Sequence, residues 1–173
     1  MNKIGALVFT VFILISSLNV SSQNSKQAPC SSKEYKQFDF WLGNWDVFDV
    51  KNKLIGTNRI VKMTNACAIQ ENWASNTGPS LGTSYNYYKA QDKSWNQLWI
   101  DNAGGSLELK GKKTQNKMIL KGALVTDKNG SYFNQITWTE NQDGTVEQLW
   151  ELIDKNNNIL KEIFRGLYKK KTN

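Results

Sequence analysis

The sequence predicts an all-β protein, an antiparallel up-and-down β-barrel of about ten strands that a short N-terminal helix closes at one end. Beyond residue 44 the chain consists of short runs of alternating or β-rich composition, separated by Gly, Asn and Asp. The gaps between these runs are as short as hairpin loops, and no run requires a long helix. Closing such a meander removes both unpaired edge strands. A barrel of about ten strands has an interior that side chains do not easily fill, so we expect a cavity.

The predicted helix begins near Ser31 and ends at Gly43. Ser31 and Glu34 have the spacing of a capping box, and Tyr35 and Phe38 fall on one side of the helix. The turns between the strands contain the Gly and Asn that hairpins favour. The predicted strands lie at 44–51, 56–64, 68–74, 82–90, 94–102, 106–112, 117–126, 131–140, 145–154 and 159–170.

The N-terminal segment has the features of a secretory signal peptide. Lys3 gives it a positive start, residues 4–20 are mostly apolar, and small residues around Ser22 suit a cleavage site. A membrane anchor is the alternative, but the apolar run is short for a span. We therefore expect export to the periplasm or the medium, with no stable membrane insertion after cleavage. The predicted organisation is a signal peptide at 1–22, a loose arm at 23–30 and one barrel domain at 31–170.

The charge of the chain says little about its partners. The formal net charge is +7, and the lysines are scattered along the sequence. A basic, aromatic-rich chain suggests nucleic acid, but export argues against that partner. We therefore predict no nucleic acid, and the sequence leaves the oligomeric state open.

Two cysteines, Cys30 and Cys67, are expected to form a disulfide in an oxidising compartment. A catalytic thiol is the alternative, but the chain contains no histidine to activate it. The lack of histidine also removes the usual catalytic triads and zinc sites. We therefore predict no metal and no cofactor.

Polarity indicates which face of each strand points into the barrel, since side chains alternate along a strand. The strand at 94–102 is assigned with Trp95 and Trp99 inward, because two indoles are costlier to expose than two aliphatic side chains. The predicted ligand-binding residues are Glu71, Trp73, Asn86, Tyr88, Gln97, Trp99, Asp101, Trp138, Gln148, Trp150 and Tyr168.

This predicted lining mixes rings with amides and carboxyl groups, and each buried polar group needs a partner. One hypothesis is a binding site for a small amphipathic molecule. The alternative is a hydrogen-bonded network that merely fills the barrel, in an envelope protein that interacts through outward residues such as Leu98 and Ile100. A third hypothesis is an enzyme that uses Glu71 and Asp101 as its acid and base, although Glu71 could instead pair with Arg59.

The segment Gly43-Asn44-Trp45 resembles the start of lipocalin-like, or calycin, barrels. The resemblance implies that a plug closes one end and that the glycine turns the helix into the first strand. The implied plug residues are Phe38, Phe40, Trp41, Gly43 and Trp45.

A longer set of motifs resembles the DUF1579 family of exported bacterial proteins of unknown function. The motifs are FDFWLGNWDV, GTNRI, CAIQENW, GTSYNYY, WNQLWIDN and ITWT, in this order. The resemblance implies a lipocalin-like barrel and brings no established activity. Barrels of similar shape, the nitrobindins, bind haem through a histidine, which this chain lacks.

Overall fold

A computed structural model describes residues 28–128 and 130–171 of the chain. The ten strands form one closed barrel, in which each strand pairs with its neighbours in the sequence and β1 pairs with β10. The predicted signal peptide and most of the predicted arm lie outside the described residues. The strands are β1 Gly43–Phe48, β2 Leu54–Met63, β3 Ala68–Ser75, β4 Leu81–Lys89, β5 Ser94–Asp101, β6 Ser106–Thr114, β7 Lys117–Asp127, β8 Gly130–Glu140, β9 Val146–Ile153 and β10 Ile159–Lys170.

The prediction of a closed, antiparallel, up-and-down barrel is confirmed. Each predicted strand corresponds to an observed one, with bounds that differ by a few residues at most. Closure depends on the pairing of the first and last strands, in which Trp45 lies opposite Lys170 and Val47 lies opposite Tyr168. No edge strand is therefore left among the described residues.

The short N-terminal helix exists, but it consists of two 3-10 segments, Lys33–Lys36 and Asp39–Trp41. The predicted capping box does not form, because the Ser31 hydroxyl donates to the Ala28 carbonyl at 2.7 Å. A 3-10 helix has three residues per turn. This spacing places Phe38 and Trp41 on the same face, where their rings stack with centroids 5.0 Å apart. No helix among the described residues is long and apolar enough to cross a membrane.

The 3-10 segments cover one end of the barrel, which we call the closed end. Phe38 and Trp41 are fully buried there and contact Trp138, at centroid distances of 5.2 and 5.3 Å. The Trp45 indole is also buried and donates a hydrogen bond to the Trp41 carbonyl at 2.8 Å. Phe40 is half-buried beside them. Rings packed on rings therefore fill this end of the interior.

The predicted disulfide between Cys30 and Cys67 is confirmed, with the two Cα atoms 5.0 Å apart. Cys67 lies in the turn between β2 and β3, where its N–H donates to the Thr64 carbonyl. The bond therefore ties the start of the described chain to the rim of the closed end. By the chain-entropy relation, a closed loop of this length stabilises a fold by about 4 kcal/mol.

Candidate functional site

A cavity of about 630 Å³ occupies the half of the barrel interior that lies away from the closed end. Its walls come from β2, β3, β5, β6, β8, β9 and β10, and the loops that follow β3 and β5 lie at its open end. We call this end of the barrel the mouth. Eight of the predicted site residues line the cavity: Glu71, Trp73, Gln97, Trp99, Asp101, Gln148, Trp150 and Tyr168.

Four half-buried aromatic side chains surround the upper part of the cavity, and we call them the mouth aromatics. They are Trp73, Trp99, Trp150 and Phe164. Two of them, Trp73 and Phe164, meet edge to face with centroids 5.9 Å apart. Ile55 and Leu107 add aliphatic wall between the rings. The mouth therefore offers mainly apolar surface.

Two of these rings lie against glycines on the preceding strand. The six-membered ring of Trp99 occupies the space where a Cβ of Gly82 would stand, and the ring of Trp73 does the same over Gly56. In each case the tryptophan lies diagonally opposite its glycine across an antiparallel pair. The glycine lets the indole lie close against the backbone. The six-membered part of each indole thereby packs against backbone, and the ring is held at the cavity wall.

The third indole is held differently. Trp150 on β9 lies opposite Ile136, so the diagonal position on β8 belongs to Asn134. The Asn134 side-chain oxygen accepts a hydrogen bond from the indole N–H of Trp150 at 2.9 Å. A polar anchor therefore replaces the glycine at this strand pair.

Below the mouth aromatics the interior is polar, and we call this layer the polar floor. Its members are Asn58, Glu71, Ser84, Asn86, Gln97, Gln148 and Tyr168. All of them are buried, and each takes part in a hydrogen bond with another member. The floor separates the cavity from the plug of the closed end.

Glu71 is the central member of the polar floor. One carboxylate oxygen accepts a hydrogen bond from the Asn58 amide at 2.7 Å, and the other accepts one from the Ser84 hydroxyl at 2.6 Å. The side chain is only 4% exposed. Arg59, the partner proposed from the sequence, is exposed to solvent. Glu71 therefore has neutral hydrogen-bond donors and no cation beside it in the described part of the chain.

Burial raises the pKa of Glu71 to about 7, although the hydrogen bonds from Ser84 and Asn58 oppose the shift. Burial also raises the pKa of Tyr168 well above its ordinary value, with the nearby Glu71 charge as a second cause. Tyr168 is therefore a neutral donor at physiological pH. Its hydroxyl donates to the Gln148 side-chain oxygen and lies 3.4 Å from the Asn58 amide nitrogen.

The rest of the floor links β4 to β5. The Asn86 amide donates to the Ser84 hydroxyl at 2.9 Å, and the Gln97 amide donates to the Asn86 oxygen at 2.9 Å. Ser84 therefore both donates to Glu71 and accepts from Asn86. This chain of donors fixes the orientation of the Glu71 carboxyl group.

Asp101 lies at the mouth rather than on the floor. One of its oxygens accepts the backbone N–H groups of Ala103 at 2.9 Å and Gly105 at 2.8 Å. The carboxylate therefore stabilises the turn between β5 and β6 while it lines the cavity. It is not the close partner of Glu71 that a two-carboxylate acid and base mechanism needs.

Three predicted site residues do not line the cavity. Trp138 is fully buried in the plug at the closed end, and Tyr88 packs against Tyr35 beside it at 5.2 Å. Asn86 is fully buried behind Gln97 in the polar floor. All three face inward as predicted, but they lie too deep along the barrel axis to reach the open space.

The sequence prediction missed Asn58, because β2 could not be oriented from its polarity. Asn58 is buried, and its neighbour Arg59 is exposed. A usable signal was present: Gly56-Thr57-Asn58 in β2 matches Gly82-Thr83-Ser84 in β4. In both segments the first residue lies beneath an indole and the third hydrogen-bonds to Glu71.

A scan against models of known protein families finds no match for this chain. A search of curated proteins likewise finds no similar sequence. Among the described residues, no group of three or more Cys, Asp and Glu side chains is arranged to hold a metal ion. The structure alone defines the class of protein: a closed ten-stranded antiparallel barrel with a cavity lined by aromatic and polar side chains.

Proposed function

We propose that this protein is an exported, lipocalin-like barrel that binds one small amphipathic molecule in the cavity. The observation that carries the proposal is the cavity of about 630 Å³, with indoles at its mouth and oriented polar groups on its floor. This volume lies within the range of small-molecule sites, which combine apolar walls with a few fixed polar groups. The motifs that resemble the DUF1579 family imply such a barrel and supply no activity.

The way the side chains are held supports binding over a self-filled barrel. Trp73 and Trp99 rest on glycines, and Trp150 is anchored by Asn134, so the walls are formed before any molecule arrives. Preformed walls lower the entropic cost of binding. The disulfide supports an oxidising compartment, which agrees with export.

Uptake of N-phenyl-1-naphthylamine, a neutral amphipathic fluorophore, tests the proposal. We expect the wild-type protein to enhance its fluorescence and Trp99→Ala to lose most of that enhancement. Tyr85→Ala is the matched control, because Tyr85 points outward from β4 and is 41% exposed. Equal uptake by Trp99→Ala, or no uptake by the wild-type protein, would contradict the proposal.

A second candidate is a carboxylate-dependent enzyme, favoured by one observation. Glu71 is a buried carboxyl group with a pKa of about 7, in the range suited to a general acid or base at neutral pH. Asp101 is engaged in a turn, so Glu71 alone would carry the proton transfer. The enzyme hypothesis expects Glu71→Gln to fold and bind its molecule but to abolish turnover. Turnover that survives this change would reject it.

A further inference from the structure

We propose that the molecule held in this cavity is a cation, an amphiphile whose ammonium group lies near Glu71 among the mouth aromatics. The inference rests on the proposed function and names its ligand class. Three independent features carry it: the charges that line the cavity, the partners of Glu71 and the placement of the rings.

The cavity has the opposite sign of charge from the chain as a whole. The formal net charge of the sequence is +7. The described residues that line the cavity nevertheless include two carboxyl groups, Glu71 and Asp101, and no Lys or Arg. An anionic ligand would meet only like charge there, whereas a cation would be attracted into the barrel.

Within residues 28–128 and 130–171, Glu71 lacks the cationic partner that a buried carboxylate ordinarily has. Its two oxygens accept hydrogen bonds there from the neutral Asn58 and Ser84 side chains. A buried charge is costly unless an opposite charge compensates it. Each carboxylate oxygen has a further lone pair, and Glu71 lines the cavity. An ammonium group entering from the mouth would supply the missing charge.

The indoles add a second attraction for a cation. The rings of Trp73 and Trp99 each cover a glycine with one side while lining the cavity. Tryptophan is the aromatic side chain that binds cations best through its ring face. The aliphatic wall at Ile55 and Leu107 suits the apolar part of the same molecule. A cationic head and an apolar tail therefore both find matching surface.

Three probes with the same decyl chain test the charge. They are decyltrimethylammonium, the neutral decyldimethylamine N-oxide and the anionic decyl sulfate, each used below its micelle concentration at about pH 8, where Glu71 is ionised. Binding is measured by calorimetry and by quenching of the cavity tryptophans. We expect the ammonium probe to bind at least about tenfold more tightly than the N-oxide, and the sulfate to bind most weakly.

Matched variants locate the charge. Glu71→Gln keeps the side-chain shape, and we expect it to lower the affinity of the ammonium probe to that of the N-oxide. Glu108→Gln is the control, because Glu108 points outward from β6 and is exposed; it should keep the preference. Asp101→Asn retains the oxygen that caps the turn, and it tests the same assignment if Glu71→Gln does not fold. We expect it to reduce the preference for the ammonium probe over the N-oxide about threefold.

The outcomes separate the two proposals. Equal or tighter binding of the N-oxide or the sulfate would overturn the cation assignment and leave the binding barrel standing. A preference for ammonium that survives both Glu71→Gln and Asp101→Asn would also overturn it. If the fluorophore is taken up but none of the three probes binds, the cation assignment alone fails; if neither the fluorophore nor any probe binds, the proposed function fails as well.

Discussion

Tryptophan occurs at both ends of the barrel, in two different kinds of surroundings. At the closed end Trp41 and Trp138 are fully buried and pack against each other and against Phe38. At the mouth Trp73 and Trp99 are half-buried and pack against glycines. At the closed end each ring packs on several others and the rings fill the interior. Among the described residues at the mouth, the two indoles rest on glycines, only Trp73 has a ring beside it, that of Phe164, and the rings line a cavity.

The comparison predicts that removing a ring costs far more stability at the closed end than at the mouth. Trp41→Ala should lower the free energy of unfolding by about 3–5 kcal/mol, because it opens a void in a fully packed plug. Trp99→Ala should cost about 1–2 kcal/mol, because its site already faces open space. Urea unfolding measures both variants. Equal costs would contradict the distinction between the two ends.

The disulfide should stabilise the closed end specifically. Replacing Cys30 and Cys67 together by Ser is expected to lower the free energy of unfolding by about 2–4 kcal/mol, since the unfolded chain gains freedom. The rate of backbone hydrogen exchange in this variant should rise first in the 3-10 segments. The folded fraction should still bind the fluorophore at the mouth. Loss of binding without loss of stability would contradict this separation.

The charge of Glu71 should make stability depend on pH. Its pKa is about 7 in the folded protein and 4.5 ordinarily, so the folded state binds the proton more tightly. Stability from this group is therefore fully present below about pH 4.5, falls as the pH rises and is lost above about pH 7. This fall amounts to up to about 3 kcal/mol in the free energy of unfolding, and Glu71→Gln should abolish it.

Chemical denaturation of both proteins between about pH 4 and pH 8 checks the prediction. The other titratable groups that face Glu71 or its cavity are Tyr168, which stays neutral over this range, and Asp101 at the mouth. As the pH rises, the variant should become more stable relative to the wild type. A difference that stays constant would show that Glu71 does not titrate in this range.

The glycine beneath an indole should give a modest effect. A Cβ at Gly82 would overlap the Trp99 ring, so Gly82→Ala should displace the indole and cost about 1–3 kcal/mol. The fluorophore should bind several-fold more weakly, since the wall moves into the cavity. Gly78→Ala is the control, because no atom of the described residues lies within 4 Å of its added methyl group. Equal binding by both variants would contradict the role of the glycine.

Much of the fold could be predicted because its signals are local. Alternation and turn residues located the ten strands, and two cysteines allow only one intramolecular disulfide. The 3-10 geometry was missed because the spacing of Tyr35 and Phe38 suits either helix type. The choice depends on how Phe38 and Trp41 pack against Trp138 from a distant strand.

The direction of each side chain at the site could be predicted from the sequence, but its depth in the barrel could not. Alternation shows which face of a strand points inward, but not how far along the barrel axis a side chain lies. Tyr88 and Trp138 face inward and still belong to the closed end, because the register and the plug set the depth of each layer. Asn58 was missed for a different reason, since a polar residue also occupies the outward position beside it.

Native mass spectrometry of protein purified without refolding asks whether the cavity holds a molecule. We expect a discrete extra mass on the wild-type protein that disappears on denaturation and is absent from Trp99→Ala. A wild-type protein with only its own mass, which also takes up no fluorophore or decyl probe, would contradict the proposed function. The cavity at the mouth would then be a space in the barrel rather than a binding site.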